Sequence, residues 1–291
     1  MFRTLKHFHF SKLFLCKSKP SFSTSTVAAL PNHVHLDVHY EPSHQIRYKD
    51  ALAMQRWKQK QLFQTIPPPT ATPDEIESLT NNNIHDGLIL LEHPSVYTLG
   101  RRSTLDNLNF DYKDIHCQHE LVRVERGGEV TWHGPGQLVG YPIMNLSRGN
   151  RKKDLHWFLR QIEQVIINVL NEFDIVGTRD EAGTGVWVGN NKVAAIGLSA
   201  SKWVTMHGFS LNVSPDLKCF QGITPCGIEG RGVTSLQCLT NRIIDVNTVA
   251  ETLIQQFGIV FQQENDTIHM KSYPNCKDLN EDMFVTLPIE R

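Results

Sequence analysis

Apolar positions along this chain repeat with two different periods. The longest helical stripe covers residues 155–173, where Leu155, Phe158, Leu159, Ile162, Val165, Ile166, Val169, Leu170 and Phe173 follow steps of three and four. Asp154 stands where an N-cap belongs, and Gly177 lies beyond the far end. Residues 46–63 place Tyr48, Leu52 and Trp57 at looser helical spacing, and residues 248–257 put Val249, Leu253 and Phe257 on one face before Gly258 as a stop. Between residues 64 and 87 Pro, Thr and Asn dominate, which reads as a surface excursion with a short helix over 73–79. Elsewhere the pattern shortens to strand length: residues 88–92 (LILLE), 96–99 and 121–125 (LVRVE). Residues 186–188 and 193–198 flank Gly189-Asn190-Asn191, a tight-turn sequence, and so form a hairpin with Lys192 opening its second arm. Residues 203–213 are strand-rich but interrupted at His207-Gly208, and the chain becomes polar and irregular from about Gln262. Helices mixed with hairpins predict an α+β fold, a mixed β-sheet packed by helices, rather than a regularly alternating parallel sheet.

One stretch fits neither period. Residues 126–142, RGGEVTWHGPGQLVGYP, hold four glycines and a proline within residues 126–136. Gly and Pro are the poorest helix formers, and at this density they mark backbone that turns sharply or approaches something closely. The stretch reads as a loop held between strands, the wall of a binding site. Gly134-Pro135-Gly136 lacks both the GxGxxG spacing and the GK[ST] ending of phosphate-binding loops, which excludes a Rossmann or P-loop site. Arg126, with its forked donors, can face a carboxylate, phosphate or carbonyl, or close a structural salt bridge.

Composition changes this picture at one end only. With 291 residues, 40% hydrophobic and 20% charged, the chain suits one large domain or two small ones. A net charge of −1 argues against a basic nucleic-acid surface, and no apolar run approaches the roughly 18 residues of a membrane span. Neither nucleic acid nor membrane is an expected partner. Residues 1–36, however, carry Arg3, Lys6, Lys12, Lys17 and Lys19, no acid, and a cluster of Ser and Thr from Ser18 to Thr26. That is the organellar transit-peptide pattern, with mitochondrion the first destination and plastid the second; a basic tail of no consequence is the alternative. The implied organisation is a transit peptide over 1–36, one main folded domain over 37–262 and a polar tail over 263–291. Arg151, Lys152 and Lys153 precede the cap of the long helix, where cations oppose its dipole; they read first as a solvated loop and second as a docking patch for an acidic partner.

The cysteines, Cys16, Cys117, Cys219, Cys226, Cys238 and Cys276, include no CxxC pair, so a zinc ribbon or thioredoxin-like motif is unsupported. No metal and no other cofactor is expected. Cys226 sits in ITPCGIEGRGVTSL between Pro225 and Gly227, a turn context that can expose a thiol beside a free backbone N–H. A nucleophilic cysteine needs a neighbouring cation or base, although most free cysteines are core filler. By itself Lys192 reads as a surface lysine.

Taken together, LLEHPSVYTLGRR, RGGEVTWHGPGQLVGYP, GVWVGNNKVAAIG, HGFSLNV and PCGIEGRGVTSL, in this order over residues 89–239, resemble the lipoyl(octanoyl) transferase family. The resemblance implies a fold shared with biotin and lipoate protein ligases and an acyl tunnel. It implies that Cys226 takes the octanoyl group as a thioester and that Lys192 lowers the thiol pKa and serves as general acid and base. Substrate-binding backbone is implied at Arg126, Gly127, Gly128, Glu129, Val130, Thr131, Trp132 and His133, at Ala195, Ile196 and Gly197, and at Gly208, Phe209 and Ser210. The implied donor is octanoyl-acyl-carrier-protein. The implied acceptors are apo lipoyl-domain proteins such as the glycine-cleavage H protein and 2-oxoacid dehydrogenase acyltransferase subunits. Backbone N–H groups near Cys226 and Gly197 are candidate oxyanion donors, and His133 is a rival base. Two other readings remain: an ATP-dependent lipoate ligase on the same scaffold, and a non-catalytic module that binds acyl carriers or lipoyl domains.

Overall fold

Several strands of this chain are mostly apolar, and a computed structural model shows that two of them are buried at every position, in the middle of a sheet covered on both faces. The structure describes residues 35–41, 44–80, 84–114, 119–180, 183–224, 231–261, 267–274 and 276–289. The expected transit peptide, apart from its last residues, lies outside them, as do Cys117 and Cys226. The chain runs β1 (Leu36–Tyr40), α1 (Tyr48–Phe63), α2 (Pro73–Thr80), β2 (Asp86–Leu91), β3 (Val96–Leu99), β4 (Glu120–Arg123), β5 (Val130–His133), β6 (Gln137–Ile143) and α3 (Leu155–Asn171). It continues through β7 (Thr178–Asp180), β8 (Gly183–Val188), β9 (Asn191–Ser201), β10 (Val204–Asn212), β11 (Gly232–Val233), α4 (Leu236–Thr240), α5 (Val246–Phe261) and β12 (Ile268–Met270).

The large sheet has the order β12-β1-β2-β6-β10-β9-β8-β7, with β11 joined to β9. The β12, β1 and β2 strands run parallel, and from β2 to β7 each pair is antiparallel. A smaller sheet, β4-β3-β5, stands apart. The fold is therefore α+β, with a mixed sheet packed by helices. One face carries α3 and α5: Phe158, Ile162, Val165, Ile166, Val169 and Leu170 of α3 are fully buried with Val249, Leu253 and Phe257. Each such side chain contributes about 1.5–3 kcal/mol of burial. The other face meets α1, whose Ala51, Leu52 and Met54 pack on Ile89, Val139, Tyr141 and Met206.

Asp154 caps α3 as expected, accepting from the backbone N–H groups of His156 at 2.8 Å and Trp157 at 3.2 Å. The expected stop at Gly258 is not used. Here α5 runs on to Phe261, because Phe257 and Phe261 stack with ring centroids 4.5 Å apart, and that packing outweighs the helix penalty of one glycine. Nor is residues 203–213 interrupted. The strand β10 passes through His207, at φ 60, and Gly208 while keeping its register with β9. The stretch 126–142, expected as a loop, is largely two strands, β5 and β6, joined by a three-residue turn. Arg151 is not merely solvated: its guanidinium pairs with the buried carboxylate of Asp86, while Lys152 and Lys153 stay exposed.

Residues 268–273 are tied down, although the expected tail is polar. The β12 strand extends the sheet beside β1, Lys271 N–H donates to Val38 O at 2.8 Å, and Tyr273 is buried against α1. Buried Asp37 holds Lys58 at 2.9 Å and Lys271 at 3.2 Å at the same edge.

Candidate active site

The strands β9 and β10 lie side by side with Ala195 opposite Ser210, Ile196 opposite Phe209 and Gly197 opposite Gly208. At the alternate positions Ala195, Gly197, Gly208 and Ser210 the side chains are small, which leaves the sheet face open there. Above it lies a cavity of about 780 Å³. Its opposite wall is the backbone of residues 126–131. Gly127 N–H donates to Leu198 O at 3.0 Å, pinning this wall to β9, and Gly128 turns with φ 85.

Arg126 closes the wall through carbonyls. Its guanidinium donates to Thr98 O and Glu129 O, both at 2.7 Å, to Thr98 Oγ1 at 2.8 Å and to Gly127 O at 3.1 Å. Val130, Thr131, Glu129 and His133 also line the cavity, and so do Ala195, Ile196, Gly197, Gly208, Phe209, Ser210 and Lys192. Trp132 does not, which corrects the expectation for that residue. In β5 the side chains alternate, so Trp132 points into the core of the small sheet, its Nε1 donating to Ser95 Oγ at 2.9 Å and its ring against Phe220.

Polar groups gather where the cavity meets α1. Tyr48, Tyr141, His133 and His207 line it, and His93 stands behind them, with Nε2 2.7 Å from Tyr141 Oη. Burial depresses the imidazoles: His93 titrates at about 4, and His133, also opposed by the charged form of His93, at about 3. A base that weak is poorly matched to deprotonating a thiol or an amine near neutral pH, which removes the case for His133 as the rival base. Its other nitrogen is committed: Nδ1 lies 2.7 Å from Gln137 Oε1. Gln137 Nε2 in turn donates to Asn212 Oδ1 at 2.9 Å, and Asn212 Nδ2 to Thr234 O at 2.9 Å. Thr234 N–H donates to Lys192 O at 3.0 Å. This relay joins the glycine-rich stretch to the segment that follows Cys226. Gln137 and Asn212 lie within the quoted motifs and Tyr48 outside them, and none of the three was expected as a site residue.

Lys192 stands at the opposite end, its Nζ 4.8 Å from the centre of the Trp187 ring. The strand β11 pairs Val233 with Lys192, and Ile223 and Arg231, which precede and follow Cys226 in the chain, both line the cavity. Of the other cysteines, burial pushes the Cys219 thiol up, with Asp216 adding to the shift. Among the described residues, no group of His, Cys, Asp and Glu side chains is placed to hold a metal ion, and no helix is long and apolar enough to cross a membrane.

Residues 47–258 match the lipoyl protein ligase A/B catalytic domain. The chain belongs to the lipoyl(octanoyl) transferase family. It is an acyltransferase, and octanoyl transfer for protein lipoylation is the activity its relatives support. An octanoyltransferase of Nostoc punctiforme is 57% identical over 164 residues, covering 55% of this chain and 70% of that protein. One from another Nostoc strain is 48% identical over 214 residues, covering 73% and 88%. A chloroplastic octanoyltransferase of Arabidopsis thaliana is 50% identical over 192 residues, covering 62% and 67%. The lipoate-protein-ligase fold is shared with lipoate-protein ligase A bound with ATP, at a TM-score of 0.61 and 14% identity over 87% of this chain and 92% of that one. It is shared too with a bipartite lipoate protein ligase of Thermoplasma acidophilum, at 0.60 and 12% over 87% and 91%. Within the family, these relatives correct the first-choice mitochondrial destination: a plant relative is chloroplastic and others are cyanobacterial, which points to the plastid instead.

Proposed function

We propose that this transferase takes the octanoyl group from an octanoyl-acyl-carrier-protein onto Cys226 and passes it to one lysine of an apo lipoyl domain, in a plastid. Glycine-cleavage H protein and the acyltransferase subunits of 2-oxoacid dehydrogenases are the acceptors that this chemistry fits. One observation carries the reading. Lys192 and the substrate-binding residues expected from three separate stretches, Trp132 excepted, line a single cavity, and so do Ile223 and Arg231, before and after Cys226 in the chain.

The steps balance without ATP. The Cys226 thiol loses its proton to Lys192, and the thiolate attacks the donor thioester; a new C–S bond forms while the bond to the carrier sulfur breaks. The departing thiolate takes the proton back from Lys192. In the second half the acceptor amine attacks the Cys226 thioester, an amide C–N bond forms, and the C–S bond breaks. Lys192 accepts the proton of the amine, whose ordinary pKa is about 10.4, and returns it to Cys226. The backbone N–H groups near Cys226 and Gly197 are the candidate donors to the oxyanion. The small positions Ala195, Gly197, Gly208 and Ser210 leave room for the alkyl chain.

Intact-mass measurement after adding octanoyl-acyl-carrier-protein tests this. One hydroxylamine-sensitive octanoyl adduct is expected, mapping to Cys226 and absent from Cys226→Ala. An adduct on Cys219 or Cys238, or full transfer by Cys226→Ala, would overturn the assignment. Because the fold is also that of a ligase bound with ATP, octanoate with ATP is the control; robust acceptor acylation there would favour the ligase reading.

A further inference from the structure

Lys192 shares its aromatic neighbour with a second cation. Its Nζ and the Cζ of Arg231 each lie 4.8 Å from the centre of the Trp187 ring. The ring itself is fixed, 3% exposed, with Nε1 donating to Gly183 O at 3.2 Å. Arg231 is fixed as well, its Nη1 donating to Asp180 Oδ2 at 2.6 Å, and the pairing of β11 with β9 brings it beside Lys192. An aromatic face attracts a cation, and a second cation nearby repels it. The two influences on the Lys192 amine therefore have opposite signs.

We propose that Trp187 and Arg231 are positioning residues that form a seat for the Lys192 amine, the indole face holding it and the guanidinium setting how readily it gives up its proton. This rests on the reading of Lys192 as the base. The indole gives the long, flexible lysine stem a resting place at the cavity wall. Without Arg231, the face of Trp187 would hold the ammonium and keep it protonated, which is the wrong state for a base. Asp180 offsets part of the Arg231 charge. From α3, Glu163 faces the same region, reaching Gly185 N–H at 3.4 Å, and its other oxygen is held by Arg160 at 2.8 Å and Arg179 at 3.1 Å. From the same helix His156 also lines the cavity.

Competitive labelling of the Lys192 amine with trace acetic anhydride across pH, read by peptide mass spectrometry, measures its titration midpoint whatever its role. Arg231→Gln removes the opposing cation and should move the midpoint up by roughly half to one pH unit, and Arg231→Lys should restore most of it. Trp187→Leu removes the face that holds the ammonium and should move the midpoint down by a similar amount, with Trp187→Phe lying between. A merely structural role moves neither, so unshifted midpoints, or shifts of one sign in both variants, overturn the seat. Should Trp187→Leu fail to fold, Trp187→Phe and the Arg231 pair still decide the matter. The acid limb of the transfer rate, measured in the same variants, should follow the labelling midpoints. Labelling shifts that the rate does not follow would leave the seat standing and remove Lys192 as the base.

Discussion

At the scale of single residues, the site depends on a buried amide, Asn212, as much as on the groups that react. It is 4% exposed and joins Gln137 on one side to Thr234 on the other. The same Thr234 donates its N–H to Lys192 O, so Asn212 holds the segment after Cys226 against the strand that carries the proposed base. Asn212→Ala strands the Gln137 amide and the Thr234 carbonyl, at a cost of about 1–3 kcal/mol of stability. Transfer should fall by at least about tenfold at a temperature where the variant is still folded, read as kcat/KM beside a denaturation curve. A destabilised variant with wild-type transfer would show that the relay only supports the fold. Motif spacing made Lys192 and the facing triplets 195–197 and 208–210 readable, because their order along the chain is itself the signal. It could not show Asn212, whose partner Gln137 is 75 positions away. Nor could it place Trp132: only once residues 130–133 form a strand does alternation send Trp132 into the small-sheet core and Thr131 and His133 toward the cavity.

Among the elements, β10 carries the site, and two glycines show how differently the same residue can matter. A Cβ on Gly208 would lie 1.9 Å from Gly140 O, in the strand beside it. That obstacle is backbone and cannot step aside, so Gly208→Ala must break the β10–β6 pairing and should cost more than about 3 kcal/mol. A Cβ on Gly189 meets nothing within 4 Å; the residue serves only the turn, at φ 56. Gly189→Ala should cost about 1–2 kcal/mol, the ordinary penalty of that backbone region. Urea denaturation of the two variants gives the comparison, and equal losses would refute the close-approach argument. The α3 helix could be read in the sequence with its cap, because its apolar stripe and Asp154 are local signals. The reach of α5 through Gly258 and the continuity of β10 through His207 could not. Both are decided by packing against distant partners, Phe158 for the first and β6 with β9 for the second. Polar residues beyond 262 likewise gave no hint that Ile268 would pair with Leu36 across most of the chain.

For the whole molecule, acid is the condition this architecture resists least. The two layers that enclose the cavity meet at buried imidazoles: His93 donates from Nδ1 to Ile46 O and accepts at Nε2 from Tyr141 Oη, and its ring stands 5.9 Å from that of His133. Burial is the chief cause that sets His93 at about 4 and His133 at about 3, against 6.5 for a free imidazole. Burial lowers His207 in the same direction. In the unfolded chain His93 and His133 bind protons as the pH falls through 6.5, while the folded chain refuses them until about 3–4. The unfolded state therefore holds more protons across that window, and stability present above pH 6.5 is lost progressively as the pH falls through it. His93 and His133 should each cost about 2 kcal/mol between pH 7 and pH 5. Urea midpoints should then drop steeply over those two units. A His93→Gln variant, which keeps hydrogen-bonding capacity but cannot titrate, should start lower at pH 7 and fall with a visibly shallower slope. If wild type and His93→Gln lose stability in parallel, the acid sensitivity lies in the carboxylates and not in the histidines that join the layers.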